Sequence, residues 1–472
     1  MKHPSEYENQ QVIVLGLAKS GVSVAKVFHD LGAKVTVNDR KERSECPEAG
    51  ELSALGISVL CGGHPEGLVH EGVALVVKNP GIPYTAPPVA DALRLGIEVV
   101  TEVEVAYRLS PAPMIGITGS NGKTTTTTWV GGILERAGLK PVVAGNIGRA
   151  LTEASLEAEP DNWMVVELSS FQLKGTDQFR PRIACLLNLA ETHLDYHGTM
   201  EDYVASKAKL FANQTAEDTA VLNWDDAVCR ELAGSLKAQL LPFSVHEELE
   251  CGVFLQPPMA AGESLGERRL VYRDRAGAEH EILPARDLGV AGTFNAANAL
   301  AAAAISLAAG APLAAIAAEL AAFRGVEHRL EFVAEVNGVT YYNNSKATNA
   351  TATISAVQSL DRPIVLIAGG LDRGSDYMEL LPIFENKVKA VVTLGETRIK
   401  ILNIARLAGI SSMESVDTGE NAAEVLDAAV RQAAAFAEEG DIVLLSPACA
   451  SWDMFSSFEE RGRIFKKSVH SL

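Results

Sequence analysis

Cysteine is scarce and scattered. Cys46, Cys61, Cys185, Cys229, Cys251 and Cys449 form no C-x-x-C pair in 472 residues, which suits a reducing compartment and offers no zinc framework. Positive charge is also short. Lysine and arginine number 41 against 60 aspartates and glutamates, a balance of −19, so neither nucleic acid nor an anionic membrane is expected as the main partner. No apolar run is long enough to span a bilayer. The alanine-rich stretch 296–323 comes nearest, but Asn298, the Gly310-Ala311-Pro312 break and Glu319 predict two ordinary helices there. The start, Met1 to Gln11, is polar and lacks the apolar core of a signal peptide. These absences predict a soluble, cytoplasmic protein. Any anionic ligand must be held by local nests of lysine, arginine and backbone N–H.

What is present is ample apolar content, 47% of the chain, over a length that predicts two or three domains. The first block opens with the strand Gln11-Val-Ile-Val-Leu-Gly16, a turn to Gly21, a helical pattern through His29 and a second strand over 33–38, a βαβ unit. Asp39 ends that strand about where a dinucleotide fold places its ribose-binding acid. The turn Gly16-Leu-Ala-Lys-Ser-Gly21 lacks the middle glycine of the fingerprint, with Ala18 in its place. An NAD site, a cofactor-free unit and a site for another nucleotide diphosphate all stay open.

A hinge is expected around Leu109-Ser-Pro111-Ala-Pro113. An apolar run then leads into Gly116-Ile-Thr-Gly119-Ser120-Asn121-Gly122-Lys123-Thr124-Thr125 and a helical run through Arg136. Strand, glycine turn, lysine, hydroxyl and helix start together make a phosphate cradle. Backbone N–H groups and the helix's positive end hold phosphate oxygens, Lys123 adds a mobile cation and Thr124 can meet Mg²⁺. The spacing departs from G-x-x-x-x-G-K-[ST], because Ile117 stands at the first glycine. Strands over 163–168, 183–189 and 219–223 predict a mostly parallel sheet behind the loop. Residues 244–288 read as an inserted excursion with short strands rather than core. The third block, from Val326, again alternates strands and helical stretches.

Unusual polar residues cluster where strands end, the place where open α/β sheets bind ligands. Glu167 leaves the strand Trp163-Met-Val-Val-Glu167 either as a Mg²⁺ ligand or as a helix-start acid favoured by the dipole. Glu191, His193, Asp195 and His197 crowd the next strand end. There His193 is the best second metal ligand, a solvated polar turn being the alternative. Lys207 and Lys209 read from spacing as an exposed helix face. Asn343 to Thr351 reads as a ligand cluster or a capped helix start. Gly369 to Gly374 and Ser446 to Asp453 could also meet an anionic ligand.

Taken in order, GLAKSG (16–21), NPGIP (79–83), GITGSNGKTT (116–125), GNIG (145–148), ELSSFQL (167–173), HLDYHG (193–198), YYNNSKATN (341–349), GGLDRG (369–374) and SPACASWDMF (446–455) resemble the Mur ligases, ATP-dependent amide-forming enzymes of peptidoglycan precursor synthesis. The family's T-G-S-N-G-K-T loop accounts for the missing first glycine. SKATN and SPACAS resemble the member that adds D-glutamate to UDP-N-acetylmuramoyl-L-alanine. The resemblance implies three α/β domains: a Rossmann-like UDP-binding domain over 1–108, a P-loop-type ATP-binding domain with a mostly parallel sheet over 109–325, and a Rossmann-like amino-acid-binding domain over 326–472. It implies uridine-linked substrate at Ser20, Gly21, Asp39, Arg40, Gly81 and Asn146. ATP would lie at Gly119, Ser120, Asn121, Gly122, Lys123, Thr124 and Thr125, with Asn295 and Asn298 near adenine and Arg329 near the phosphates. Two Mg²⁺ ions would be held by Thr124, Glu167, His193 and Lys207. The family's matching lysine carries a carbamate, so Lys207 is expected to be carbamylated, with Lys209 as the fallback, and Lys123, His193 and Lys207 are the catalytic set. D-Glutamate would meet Thr348, Arg373, Ser451 and Phe458. The family usually has aspartate before SKATN, where this chain has Asn344. Its partners would be small-molecule substrates alone, with the chain acting as a monomer. A folylpolyglutamate-synthetase-like ligase would lack the first βαβ unit. An NAD oxidoreductase would leave the phosphate loop and SKATN unexplained. A non-catalytic nucleotide-gated binding protein would have lost Lys123, Glu167 or His193, and all three are present.

Overall fold

The computed structural model describes residues 1–260, 263, 265–290, 292–360, 362–417 and 419–472, with the side chain of Asp195 outside the description. Three sheets follow one another along the chain. The first contains β1 (Gln11–Leu15), β2 (Lys34–Asp39), β3 (Ser58–Cys61), β4 (Val73–Lys78) and β5 (Val99–Val100), all parallel in the order β3-β2-β1-β4-β5. The order reverses between β1 and β4, so the crevice expected of a doubly wound sheet lies over the turns that follow these two strands. Near-continuous apolar runs such as Val12-Ile-Val-Leu15 and Val73 to Val77 suit strands covered on both faces, and both are almost wholly buried.

The second sheet contains β6 (Met114–Thr118), β7 (Pro141–Gly145), β8 (Trp163–Glu167), β9 (Ile183–Leu186), β10 (Thr219–Asn223), β11 (Gln239–Ser244), β12 (Gly252–Gln256), β13 (Arg269–Arg273) and β14 (Glu279–Pro284). The order β14-β13-β12-β11-β10-β9-β6-β8-β7 puts the phosphate-loop strand β6 between β8 and β9, with every pair parallel except those made by β13. The expected excursion over 244–288 is therefore corrected: its strands extend the main sheet. The charged residues that suggested a solvated insert sit at the exposed edge and turns, while Phe254, Leu255, Leu270 and Val271, on alternate faces of their strands, are all buried. The helices Thr293–Ala308 and Leu313–Ala322 divide the alanine-rich stretch as expected. Among the described residues no helix is long and apolar enough to cross a membrane.

The third sheet contains β15 (Glu331–Val336), β16 (Val339–Asn343), β17 (Ile364–Ala368), β18 (Val388–Thr393), β19 (Ser412–Ser415) and β20 (Ile442–Leu445), ordered β15-β16-β20-β17-β18-β19. Among the described residues β15 alone runs antiparallel in this sheet. By contact density the chain forms two compact units, 1–291 with 295–322, and 292–294 with 323–472. The first two sheets share a unit, so the hinge expected near 109–113 lies inside it. The helix Glu102–Leu109 is the joint. Buried Glu102 accepts from Thr152 N and Oγ1 at 3.0 and 2.8 Å, and Thr152 Oγ1 meets Ser23 Oγ at 2.6 Å. Buried Glu104 accepts from the backbone N–H groups of Asp177, Gln178 and Phe179.

Candidate active site

The first unit gathers its unusual polar groups at the carboxyl ends of β8, β6 and β9. Past β6 the chain turns through Gly119 to Gly122 and enters the helix Lys123–Arg136, with Gly122 at its N-cap. Gly122 has φ +81°, and a Cβ there would stand 2.2 Å from Asn298 Oδ1. Glycine is thus required twice over, by backbone conformation and by close approach. The segment after β9 pins the loop. Asn121 N donates to Asn188 Oδ1 at 2.8 Å, Ser120 N donates to Asn188 O at 2.9 Å, and Ser120 Oγ meets Tyr203 Oη at 2.8 Å. Lys123 Nζ donates to Gly119 O at 2.8 Å and Ser120 O at 3.0 Å, which holds the ammonium over the cradle. Thr124 and Thr125 are buried in the helix's first turn.

Lys207 departs from the exposed face that spacing predicts. The helix Met200–Ala208, capped by Thr199 Oγ1 on Asp202 N, turns it inward to 1% exposure. Its Nζ donates to Thr118 Oγ1 at 3.1 Å and Gly119 O at 3.0 Å, and stands 4.8 Å from the centre of the Tyr203 ring. Two lysines therefore converge on the carbonyl of Gly119. Burial first, and the Lys123 charge second, hold the Lys207 ammonium well below its ordinary value. Both effects work against the charged form. Lys209 instead donates to Lys174 O and Thr176 O.

Glu167 ends β8 in register with Ile117 on one side and Gly145 on the other. It is 1% exposed. Oε1 accepts from Asn146 Nδ2 at 2.8 Å, while Oε2 has no hydrogen-bond partner among the described residues. A buried carboxylate oxygen left open beside a phosphate cradle and a hydroxyl fits a bound divalent cation. The capping role falls instead to Ser169, whose Oγ accepts from Gln172 N at the start of the helix Ser170–Lys174. His193 is exposed, takes φ +59° at the cap of the short helix Leu194–His197, and packs edge-on to Phe171 at 5.0 Å. Its neighbour His197 is buried and spent on Asp202 and Ser170. Asp195, counted in the same cluster, lies outside the described side chains. No group of three histidine, cysteine or acidic side chains gathers among the described residues, so a cation here would rely on Thr124 and Lys207 besides Glu167 and His193.

At the first sheet's switch point, Ser20 and Gly21 open the helix Lys19–Asp30. Asp39 accepts from Leu17 N at 2.8 Å and Lys41 N at 2.9 Å, so its carboxylate shapes two turns, and Arg40 is exposed. Gly81 is exposed on the turn after β4. Of the nucleotide residues expected in the helical stretch, Asn298 is buried under the phosphate loop and Asn295 is half-buried. Arg329 belongs to the second unit.

That unit brings its own set together. Gly369, at φ +120°, lets the backbone pass where a Cβ would stand 2.0 Å from Leu394 O. Past it, Gly369 N and Leu371 N donate to Pro447 O and Ala450 O, which joins the GGLDRG turn to the SPACAS segment. Arg373 is exposed, with its guanidinium 5.2 Å from the Trp452 ring centre; Ser451 is buried. Phe458 lies 5.6 Å from Lys346 Nζ and accepts from Ser345 Oγ through its carbonyl. Thr348 is half-buried beside them in sequence. Asn344 uses both ends of its amide: Oδ1 accepts from Leu330 N at 3.1 Å and Nδ2 donates to Ser446 Oγ at 3.0 Å. Sequence reasoning passed over Arg461, 1% exposed, which donates to Ser345 Oγ, Ser345 O and Cys449 O. Burial pushes its pKa down to about 10. Its run Phe458-Glu-Glu-Arg461 reads as an ordinary charged helix, and no local signal marks it. Tyr203, which holds Ser120, was missed for the same reason.

Comparison with known proteins covers the chain from end to end. Residues 10–101 match the Mur ligase MurD-like N-terminal domain, 117–306 the Mur ligase middle domain, and 328–449 the Mur ligase glutamate ligase domain. A relative from Geobacillus kaustophilus (strain HTA426), named UDP-N-acetylmuramoylalanine–D-glutamate ligase, is 48% identical over 473 residues and 100% of both chains. One of the same name from Bacillus cereus (strain G9842) is 46% identical over 472 residues, again 100% of both. Among solved structures, MurF from Acinetobacter baumannii superposes with TM-score 0.58 at 17% identity, covering 100% of this chain and 93% of that one. MurC from Thermotoga maritima gives 0.56 at 19%, covering 98% and 99%. Such low identity speaks to the fold alone, a three-domain α/β architecture with mostly parallel sheets. With near-half identity to curated relatives along its whole length, the chain belongs to the Mur ligase family.

Proposed function

We propose that this chain joins D-glutamate to UDP-N-acetylmuramoyl-L-alanine at the expense of ATP, as a step of peptidoglycan precursor synthesis in the cytoplasm. The observation that carries this reading is the full-length identity with relatives named for that reaction. The phosphate loop supplies its chemistry. Joining a carboxylate to an amine is uphill in water, because a carboxylate oxygen is a poor leaving group. An oxygen of the alanyl carboxylate attacks the γ-phosphorus of ATP, and ADP leaves with the electrons of the broken P–O bond. The acyl phosphate so formed has a good leaving group. The D-glutamate amine then attacks its carbonyl carbon, the tetrahedral intermediate expels phosphate, and the amine gives up a proton.

Lys123 and the loop N–H groups spread the charge on the transferring phosphoryl group. Mg²⁺, when bound, neutralises phosphate oxygens and polarises the phosphorus. Thr124, Glu167, His193 and a carbamylated Lys207 are the residues that would hold two such ions. The open Glu167 Oε2 and the buried Lys207 amine support this assignment. Carbamylation needs the neutral amine: its lone pair adds to CO₂, an N–C bond forms and a proton leaves, giving an anion where two lysines now crowd one carbonyl.

The remaining roles follow the same reading. Ser20 and Gly21 meet the pyrophosphate at a helix start, Asp39 and Arg40 the uracil end, and Gly81 and Asn146 the muramoyl part. Asn295 and Asn298 serve adenine, with Asn298 also fixing Gly122, and Arg329 serves the phosphates. Thr348, Arg373, Ser451 and Phe458 take D-glutamate. The three domains are taken as 1–108, 109–325 and 326–472. The test is phosphate release from ATP with UDP-N-acetylmuramoyl-L-alanine and a panel of D- and L-amino acids. Release should require D-glutamate. Equal release with L-glutamate or L-alanine would contradict the assignment.

A further inference from the structure

Lys78 is the last residue of β4 and is 1% exposed. Burying an ammonium costs several kcal/mol unless its donors are matched. Among the described residues no carboxylate pairs with it. Its Nζ instead donates to the carbonyls of Asn79, Pro80 and Ile82 at 3.4, 3.2 and 2.9 Å, and to Tyr196 Oη at 3.3 Å. An apolar side chain of similar length would pack there without the desolvation cost, but would leave those carbonyls facing each other unmatched. The Lys78 amine, whose pKa burial lowers to about 7, is therefore the organiser of the turn through these hydrogen bonds. With three carbonyls drawn inward, Gly81 remains exposed on the outer side.

The turn lies at the first sheet's switch point. Asn79 N donates to Leu15 O, which sets it beside the GLAKSG turn after β1. Tyr196 closes the arrangement from the short helix Leu194–His197 that follows β9. Its hydroxyl also meets Pro80 O at 3.0 Å and Ile82 O at 3.4 Å. Its ring stands edge-on to Phe171 at 4.5 Å, the same ring that carries His193 at 5.0 Å. The charged groups around it are balanced elsewhere: Lys174, 5.8 Å from the Tyr196 ring centre, is bonded to Asp202.

We propose that Lys78 is a positioning residue for the uridine-linked substrate, fixing the Asn79-Pro80-Gly81-Ile82 turn against Tyr196 and so setting its place relative to the His193 segment. This rests on the ligase reading above. Lys78 touches no reacting atom; it acts through the turn that presents Gly81. Loosening the turn weakens the substrate's hold while leaving the phosphate loop intact.

The experiment compares wild type, Lys78→Met, Tyr196→Phe and the double variant in steady-state kinetics, varying ATP and UDP-N-acetylmuramoyl-L-alanine separately. Lys78→Met should raise KM for the uridine-linked substrate by about tenfold or more, from the loss of the hydrogen bonds that hold the turn, and leave KM for ATP unchanged. Tyr196→Phe, which keeps the ring and removes only the hydroxyl, should shift the same constant in the same direction by a smaller factor. The double variant should fall short of the product of the two effects, because both act on one turn. Unchanged KM for the uridine-linked substrate in Tyr196→Phe and Lys78→Met, or an equal rise in KM for ATP, would overturn the proposal. If Lys78→Met does not fold, Tyr196→Phe decides alone. Absence of turnover in the wild type would instead sink the ligase reading, and this inference with it.

Discussion

Lys123 and Lys207 illustrate how one residue type meets two degrees of burial at a single carbonyl. Both donate to the carbonyl of Gly119, and the one with less access to water is driven toward neutrality. Lys123 is half-buried in the first turn of the helix, where the phosphates are expected. Lys123→Ala should therefore lower kcat by about a hundredfold or more, the usual cost of removing a preorganised charge from a transition state, with the thermal midpoint little changed. Near-normal turnover would remove it from the mechanism. Lys207→Ala should be inactive and should regain measurable activity with added formate or acetate, which places a carboxylate where the carbamate would stand. A wild-type lysine that merely fills space predicts no such rescue. The sequence marked Lys123 through its loop, but spacing alone put Lys207 on a solvated face. Helix periodicity cannot see that Thr118 and Gly119, some ninety residues earlier, cover that face.

At the scale of the element, the loop between β6 and its helix is fixed from outside. Asn188 holds Asn121, Tyr203 holds Ser120, and Asn298 abuts Gly122. Gly122→Ala would need its Cβ 2.2 Å from Asn298 Oδ1 at a φ that side chains disfavour. It should weaken ATP binding by about tenfold or more, read by titration calorimetry; an unchanged affinity would mean that the turn accommodates a side chain there. Strands and phosphate loop were legible because continuous apolar runs and glycine turns are local signals. The strands β12 to β14 were legible as strands but not as part of the sheet, since charge on one edge masks burial on the other. Asn344 was legible as a departure from the family pattern. Its reason was not: Oδ1 and Nδ2 serve opposite partners, Leu330 N and Ser446 Oγ.

At the scale of the whole molecule, the first two sheets are locked by a buried polar joint rather than by apolar contact alone. Burial raises the Glu102 carboxyl against the pull of Thr152's hydrogen bonds. Thr152→Val keeps the shape and removes the hydroxyl that donates to Glu102 and accepts from Ser23. It should destabilise the protein by about 1–3 kcal/mol in denaturant unfolding; an unchanged midpoint would mean the joint carries no stability. None of this was visible in the sequence, where Ser23, Glu102 and Thr152 are far apart and individually ordinary. Turnover as a whole turns on one event, activation of the alanyl carboxylate by phosphoryl transfer at the loop. The most direct test labels that carboxylate with oxygen-18 and follows the label through one round of reaction with ATP and D-glutamate. The account predicts that the released phosphate carries one labelled oxygen; unlabelled phosphate alongside normal product would contradict it.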